Sequence, residues 1–266
     1  MNSFRRFEAS VLSNQPVAEQ IHHLVLEMDS DLDALPGQFV SVLSSAANDP
    51  LLRRPLGIAG WDHHHLELIY KIKGRGTQNL QQCRPGNQLD LLFPLGNPFP
   101  SPSPDWQNLV LVAGGVGLPP LLYYLRYYQN RLPAGTSLVM GSRDSASMLD
   151  LPELDKLPIN RIMITQEKSS YHQGLVTDYI KDLLDGSIPN TVVLTCGPEM
   201  MMKKLQSMIM DHPEVSGFAS LEDYMGCGFG VCNGCVHPIR EDSGIVYRKV
   251  CTDGPVFDLK RIIWPD

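Results

Sequence analysis

Over residues 1 to about 100 the chain alternates apolar and polar positions in short runs broken by glycine and proline. The runs are Phe7 to Leu12, Ile21 to Glu27, Gln38 to Leu43, Leu56 to Ala59, Leu66 to Lys73 and Gln88 to Leu92. A period of two puts every second side chain on one face of a strand, and strands at this spacing predict an antiparallel β-barrel or sandwich. The texture changes at Gly96-Asn97-Pro98-Phe99-Pro100-Ser101-Pro102-Ser103-Pro104, whose prolines exclude a helix or central strand and predict an interdomain linker. Beyond it, continuous apolar runs replace the alternation. Asn108 to Ala113 leads into a glycine turn and then a helical stretch, Leu121 to Asn130. Strands follow at Ser137 to Met140, Arg161 to Thr165 and Thr191 to Thr195, with helices at Val176 to Leu184 and Glu199 to Met210. Strands alternating with helices predict a parallel α/β sheet that binds ligands at its carboxyl edge. From about residue 215 the helical period fades. The expected units are 1–100, 105–213 and a small 214–266.

That last unit is organised around four of the six cysteines, spaced Cys227-x4-Cys232-x2-Cys235-x15-Cys251. This is the ligand spacing of plant-type [2Fe–2S] ferredoxins, and it implies one-electron transfer. Glycines beside the thiols, in Gly226-Cys227-Gly228-Phe229-Gly230-Val231-Cys232-Asn233-Gly234-Cys235, let the backbone fold tightly and aim N–H groups at an anionic cluster. Zinc cages more often use two short C-x2–4-C hooks, so a three-cysteine loop with one distant partner favours iron–sulfur. No secretory leader is read at the start, so a cytoplasmic protein with reduced thiols is expected.

The glycine turn, Gly114-Gly115-x-Gly117-x-Pro119-Pro120, lies where a pyrophosphate would meet free amides and the positive end of a helix dipole. It departs from G-x-G-x-x-G and by itself reads equally as a structural turn. Cys196-Gly197-Pro198 closes a later strand at the same edge; Cys196 is either a thiol beside a nicotinamide ring or a buried cysteine capping the strand. Arg143 and Asp144 end the second strand and pull in opposite directions, one toward a 2′-phosphate and one away from it. With a net charge of −7 and no clustering of its Lys and Arg, the 266-residue chain offers no nucleic-acid footprint. Its longest apolar runs, such as Leu109 to Val112, are too short to cross a bilayer, so no membrane partner is expected.

In order, barrel, nucleotide unit and cysteine loop resemble the ferredoxin reductase superfamily, and more closely the electron transfer subunits of class 1B, NAD-dependent dihydroorotate dehydrogenases. The resemblance spans essentially the whole chain. It is carried by Arg53-Arg54-Pro55-Leu56-Gly57-Ile58, Tyr70-Lys71-Ile72-Lys73-Gly74-Arg75-Gly76-Thr77 and Pro94-Leu95-Gly96-Asn97-Pro98-Phe99. Further on, Ala113 to Leu121, Cys196-Gly197-Pro198, Ser220-Leu221-Glu222 and Val250-Cys251-Thr252-Asp253-Gly254-Pro255-Val256-Phe257 complete it. It implies an FAD on an N-terminal barrel, held by Arg54, Pro55, Leu56, Gly57, Tyr70, Lys71, Ile72, Gly76 and Thr77. It also implies an NAD at Gly114, Gly115, Gly117, Cys196, Gly197 and Pro198, and a [2Fe–2S] cluster on Cys227, Cys232, Cys235 and Cys251. The implied partner is an FMN-containing dihydroorotate dehydrogenase catalytic subunit, in a heterotetramer of two of each, acting in pyrimidine biosynthesis. A reductase that passes electrons from NAD(P)H to a ferredoxin or oxygenase is the alternative.

Two positions depart from that pattern: Gly57 stands where the family commonly has serine, and Gln166-Glu167-Lys168-Ser169 replaces an acidic, glycine-containing turn. Four other features carry plain readings. His63-His64-His65 is expected in an exposed hairpin turn rather than at a metal, Met200, Met201 and Met202 in core packing, and Cys83 as a lone thiol. The apolar end, with Phe229, Phe257, Ile262, Ile263 and Trp264, reads either as a partner interface or as cover for the small cysteine unit.

Overall fold

A computed structural model describes residues 4–44, 49–186 and 189–264. The alternating N-terminal runs close into a barrel of six antiparallel strands: β1 (Arg5–Ala18), β2 (Ile21–Glu27), β3 (Phe39–Leu43), β4 (Arg54–Trp61), β5 (His65–Lys71) and β6 (Gln88–Leu95), in the order β1-β2-β5-β4-β3-β6. Alternate side chains such as Leu24, Leu26, Leu66, Leu68, Leu91 and Phe93 fill the interior. Closure removes the sheet edges that an open sandwich would expose. A helix the sequence pattern did not predict, α1 (Arg75–Gln82), bridges β5 to β6. Its composition, Arg-Gly-Thr-Gln-Asn-Leu-Gln-Gln, is nearly all polar, so it leaves no apolar period to read.

The second layer is a seven-stranded sheet ordered β10-β9-β8-β7-β11-β12-β15. Its strands are β7 (Asn108–Gly114), β8 (Gly135–Ser142), β9 (Asn160–Thr165), β10 (His172–Gln173), β11 (Thr191–Cys196), β12 (Ser216–Ser220) and β15 (Val256–Asp258). All pair in parallel except β15, which runs antiparallel to β12. Leu109 to Ala113 of β7 are all buried, as a central strand covered on both faces requires. Helix α2 (Leu118–Tyr127) covers one face, while α3 (Val176–Asp185) and α4 (Glu199–Met210) cover the other. Strands β12 and β15 come from the segment read as the small terminal unit and extend this sheet instead. Each has five residues or fewer and lacks a distinct pattern of its own. Between them lie the cysteine loop and a hairpin of β13 (Val236–Glu241) and β14 (Gly244–Lys249). The core that α3 and α4 build on the sheet runs on through Val250, Cys235 and Cys251.

The proline-rich stretch after β6 is pinned rather than slack. Phe99 is buried and its N–H donates to the Pro36 carbonyl, while the Tyr124 hydroxyl donates to Pro100 and Arg131 to Pro102. Asn97 reaches across to the far end of the chain: its side-chain amide donates to the carbonyls of Thr252 and Asp253.

A second fastening joins barrel to sheet. Arg126 of α2 donates to the Ala59 carbonyl, pairs with Glu67 of β5 at 3.2 Å, and pairs with Glu153. Glu67 also accepts from His23 at 3.0 Å, and that bond, with Arg126, holds its carboxyl below the usual range despite desolvation. An Arg126→Ala variant leaves Glu67 and Glu153 without their shared cation in a partly buried seam, and is expected to cost about 2 kcal/mol, or roughly 5 °C in Tm. Thermal unfolding measures it; a shift under about 1 °C would mean the seam is held by apolar packing alone.

Candidate functional site

One cleft, of about 460 Å³, opens where barrel, sheet and terminal segment meet. The barrel side supplies Arg54, Pro55, Leu56 and Gly57 from β4, Tyr70 and Lys71 from β5, and Lys73 to Thr77 from the start of α1. The sheet supplies Val116, Pro119 and Pro120 beside the glycine turn, Cys196 at the end of β11 and Ser220 at the end of β12. Leu221, Glu222, Asp223 and Met225 close the remaining side on the way to the cysteine loop. Ile72 is not part of the wall; it packs against the barrel core, and its N–H donates to Gln20.

The two neighbouring arginines separate into different roles. Arg53 is fixed in the barrel wall, with Nη2 on Asp90 Oδ1 at 2.7 Å and Nη1 on the Asp90 carbonyl at 2.8 Å. Among the described residues Arg54 has one long hydrogen bond, 3.4 Å to the Arg53 carbonyl, and it lies across Gly76. A Cβ on Gly76 would stand 2.0 Å from Arg54 Nε. The missing side chain is therefore the slot in which the guanidinium rests, beside first-turn amides of α1 that no intrahelical carbonyl reaches. A guanidinium beside a helix start is an arrangement whose chemistry can accept an anion.

Thr77 lines the cleft, but its hydroxyl is taken up by the helix start. Its hydroxyl accepts from the N–H groups of Lys73 and Gly74 and donates to the Gly74 carbonyl. The Tyr70 hydroxyl likewise points inward, donating to Asn14 Oδ1 at 3.1 Å, and burial pushes it up to about 12. Asn14 in turn donates to the Leu80 carbonyl at the far end of α1. This network moors α1 to the barrel, and nothing local distinguishes Asn14 from its polar neighbours Ser13 and Gln15.

At the sheet edge, the glycines are explained chiefly by packing. A Cβ on Gly117 would stand 2.0 Å from the Cys196 carbonyl oxygen, and one on Gly114 would stand 2.4 Å from Pro198 Cδ. The two βα turns thus meet backbone to backbone, with Gly197 against Gly114. Only Gly115, at φ +53°, faces open space. Pro119 and Pro120 occupy the first turn of α2, as expected, and carry no N–H, so the amides that an anion could meet there lie ahead of them.

Cys196 is buried, and desolvation together with the Glu222 charge pushes its thiol well up, against a hydrogen bond with Ser220. It is a neutral thiol in the cleft wall. Glu222 stands among protein atoms on most sides yet reaches the water in the cleft; desolvation holds its carboxyl above the usual range, with Lys73 opposing. In the sequence Glu222 stands out only as part of Ser220-Leu221-Glu222; the cleft places it opposite the basic barrel wall.

The four cysteines come together as two pairs. Cys227 and Cys232 have sulfurs 3.3 Å apart, as do Cys235 and Cys251. The first pair is half-buried and the second buried. Among the described residues no three His, Cys, Asp or Glu side chains converge on one ion. A zinc cage needs four ligands around a single centre, whereas a [2Fe–2S] cluster takes two thiolates on each iron, so the paired arrangement suits the cluster. Desolvation pushes the Cys227 thiol up, but N–H groups of Cys232, Phe229 and Val231 outweigh it and bring it down to about 6. Burial and the Cys235 sulfur hold Cys251 up at about 12. Gly228 in this loop lies against Ser41 of β3, which seats the loop on the barrel.

Other features settle into structural roles. His63 to His65 sit in an exposed turn, with His64 on Asp29 at 2.6 Å and His65 on Asp62 at 2.9 Å. Met202 is buried, but Met200 is 73% exposed, because the first turn of α4 presents that position outward. The apolar chain end is tucked in: Phe257, Leu259 and Ile262 are buried, and Gln206 of α4 donates to the Leu259 and Ile262 carbonyls while accepting from Trp264. No helix among the described residues is long and apolar enough to cross a membrane.

A closed barrel and a nucleotide sheet sharing one cleft define the ferredoxin-reductase class of oxidoreductases, here with a four-cysteine module appended. Residues 111–207 match the oxidoreductase NAD-binding domain, and residues 222–263 match the iron–sulfur cluster binding domain of dihydroorotate dehydrogenase B. The electron transfer subunit of dihydroorotate dehydrogenase B (NAD(+)) from Desulforamulus reducens is 32% identical over 261 residues, covering 97% of this chain and 98% of the relative. Its counterpart from Geobacillus sp. strain WCH70 is 36% identical, covering 96% and 98%. The chain belongs to the family of dihydroorotate dehydrogenase B electron transfer subunits. In fold it is similar to a solved NADH-dependent reduced ferredoxin-NADP oxidoreductase, with a TM-score of 0.82 at 24% identity, over 96% of this chain and 90% of that one.

Proposed function

We propose that this chain carries electrons from an FMN-containing dihydroorotate dehydrogenase subunit to NAD⁺, as part of a heterotetramer of two of each in pyrimidine biosynthesis. The observation that carries the reading is the junction of cleft and cysteine loop. Met225 lines the cleft and Cys227 follows two residues on, so their Cα atoms lie within about 8 Å. When bound, a [2Fe–2S] cluster passes single electrons, FAD exchanges one or two, and NAD⁺ takes up a hydride.

Each group has residues to hold it. Cys227 with Cys232, and Cys235 with Cys251, would hold the two irons. Arg54 and the α1 amides would bind the FAD pyrophosphate, while Pro55, Leu56, Gly57, Tyr70 and Lys71 frame the ring. Gly76 leaves the slot for Arg54, Thr77 fixes the start of α1 at the cleft wall, and Ile72 packs behind it. The Gly114–Gly117 turn and the Cys196-Gly197-Pro198 turn would receive NAD. Barrel (1–100), nucleotide unit (105–213) and cluster unit (214–266) then each bring one cofactor to the cleft, the last two sharing a sheet. Tyr224 and Val231, 94% and 77% exposed beside the cysteine loop, are the apolar groups a catalytic subunit would cover.

Co-expression with such a catalytic subunit tests the reading. A brown-yellow complex that oxidises dihydroorotate only when NAD⁺ is supplied is expected; a colourless chain that remains alone would refute it. The pyrophosphate receptor has its own test. Gly76→Ala would push Arg54 out of its slot, and both it and Arg54→Ala are expected to weaken FAD binding to the apoprotein about tenfold to a hundredfold. If fluorescence titration finds Gly76→Ala unchanged, Arg54 is not the anchor.

A further inference from the structure

At the carboxyl ends of β8 and β9, beside the Gly114–Gly117 turn, two carboxylates close on one guanidinium. Gly114 pairs with Gly141 across β7 and β8, which puts Arg143 and Asp144 immediately past the strand that neighbours the turn. Asp144 Oδ2 lies 3.1 Å from Arg143 Nε, and Glu167 Oε1 lies 3.9 Å from the same nitrogen. Arg143 is 72% exposed and faces solvent, whereas Asp144 is turned inward at 17%. Its other oxygen accepts the Ser147 N–H at 2.9 Å. Glu167 is set in place by its backbone: its N–H donates to the Arg143 carbonyl at 2.9 Å, and its carbonyl accepts from the Thr165 hydroxyl at 3.0 Å. Lys168, the next residue, makes no ion pair with either carboxylate among the described residues.

In a doubly wound sheet, this place beside the glycine turn is where the adenosine ribose is read. With Asp144 committed to Ser147 and Arg143, it offers little to a ribose hydroxyl. Exposed ion pairs contribute little to stability, so the triad is poorly explained as a fold-stabilising device.

We infer that Glu167, with Asp144, selects the unphosphorylated dinucleotide by exclusion, cancelling the attraction that Arg143 alone would have for a 2′-phosphate. The three side chains sum to one negative charge. A 2′-phosphate carries more than one negative charge at neutral pH and is repelled, while a 2′-hydroxyl is neutral and indifferent. Removing the Glu167 charge leaves Arg143 with a single partner that is already turned inward, and the site becomes receptive to phosphate. The inference rests on the reading that a nicotinamide dinucleotide binds at the Gly114–Gly117 turn.

Calorimetric titration of NAD⁺ and NADP⁺ into the purified wild type, Glu167→Gln, and the double variant Glu167→Gln/Arg143→Ala tests it. In Glu167→Gln the ratio of NADP⁺ to NAD⁺ affinity is expected to rise at least about tenfold, and the added Arg143→Ala is expected to remove that gain. A ratio unchanged in Glu167→Gln, or a gain that survives the loss of Arg143, overturns the inference. A wild type that binds neither dinucleotide overturns the underlying reading instead.

Discussion

Cys251→Ser is expected to abolish the iron–sulfur centre. The purified variant should lose iron and acid-labile sulfide from about two of each per chain to near none, together with the visible absorbance of the cluster. Cys251 is 1% exposed, its sulfur sits 3.3 Å from that of Cys235, and it closes the pair that lies within the core shared with the sheet. Serine offers a hard, protonated oxygen where a soft thiolate is needed, and no other cysteine is placed to replace it. Cys83 supplies the control: it lies apart from the loop, its sulfur on the Asn79 carbonyl and its thiol pushed up by burial, so Cys83→Ser should keep full metal content. Metal analysis with sulfide determination reads both variants. One zinc per chain with no sulfide in the wild type would replace the two-iron reading, and the spacing into two sulfur pairs argues against that outcome.

Gly117→Ala is expected to be the most damaging of the glycine substitutions, costing more than about 3 kcal/mol. Its Cβ would stand 2.0 Å from the Cys196 carbonyl oxygen and 2.4 Å from the carbonyl carbon. Both are backbone atoms and cannot swing aside as a flexible side chain can, so two βα turns must separate. Gly115→Ala meets nothing within 4 Å and carries only the strain of a left-handed backbone, about 1–2 kcal/mol. Urea unfolding of the two variants gives the comparison. Should Gly117→Ala prove no less stable than Gly115→Ala, the backbone contact between the turns is not what requires glycine at 117. The result also bears on how such turns are read. Glycines at a strand end invite a phosphate-binding explanation, yet two of the three here, Gly114 and Gly117, are required by the neighbouring strand.

Much of the site was legible from residues close together in the chain. Periodicity announced β2 and α4 over the spans they occupy, because side-chain alternation within a strand or helix is a property of neighbours. The cysteine spacing announced its own loop for the same reason. Arg53 and Arg54 illustrate where that legibility ends. Adjacent and chemically alike, they differ because Asp90 captures the first and Gly76 leaves a slot for the second, and both partners are distant in sequence. Thr77 looked like a ligand-facing hydroxyl and proved to be bound to the backbone of its own helix start. Met200 looked like core and faces water, since helical phase alone does not say which side the sheet will cover.

By itself the sequence determined the order of units, the barrel-forming alternation, the buried parallel strands and the four-cysteine loop. Each is written in spacings of a few residues, where local sterics and burial act. Only the tertiary structure decided that β12 and β15 join the nucleotide sheet, that the cysteines stand as two pairs, and that Glu222 faces a basic wall. It alone also decided that Glu167 meets Arg143 across two strand ends. Those are meetings of segments brought together by chain folding, and their geometry depends on packing and strand register that no local pattern carries.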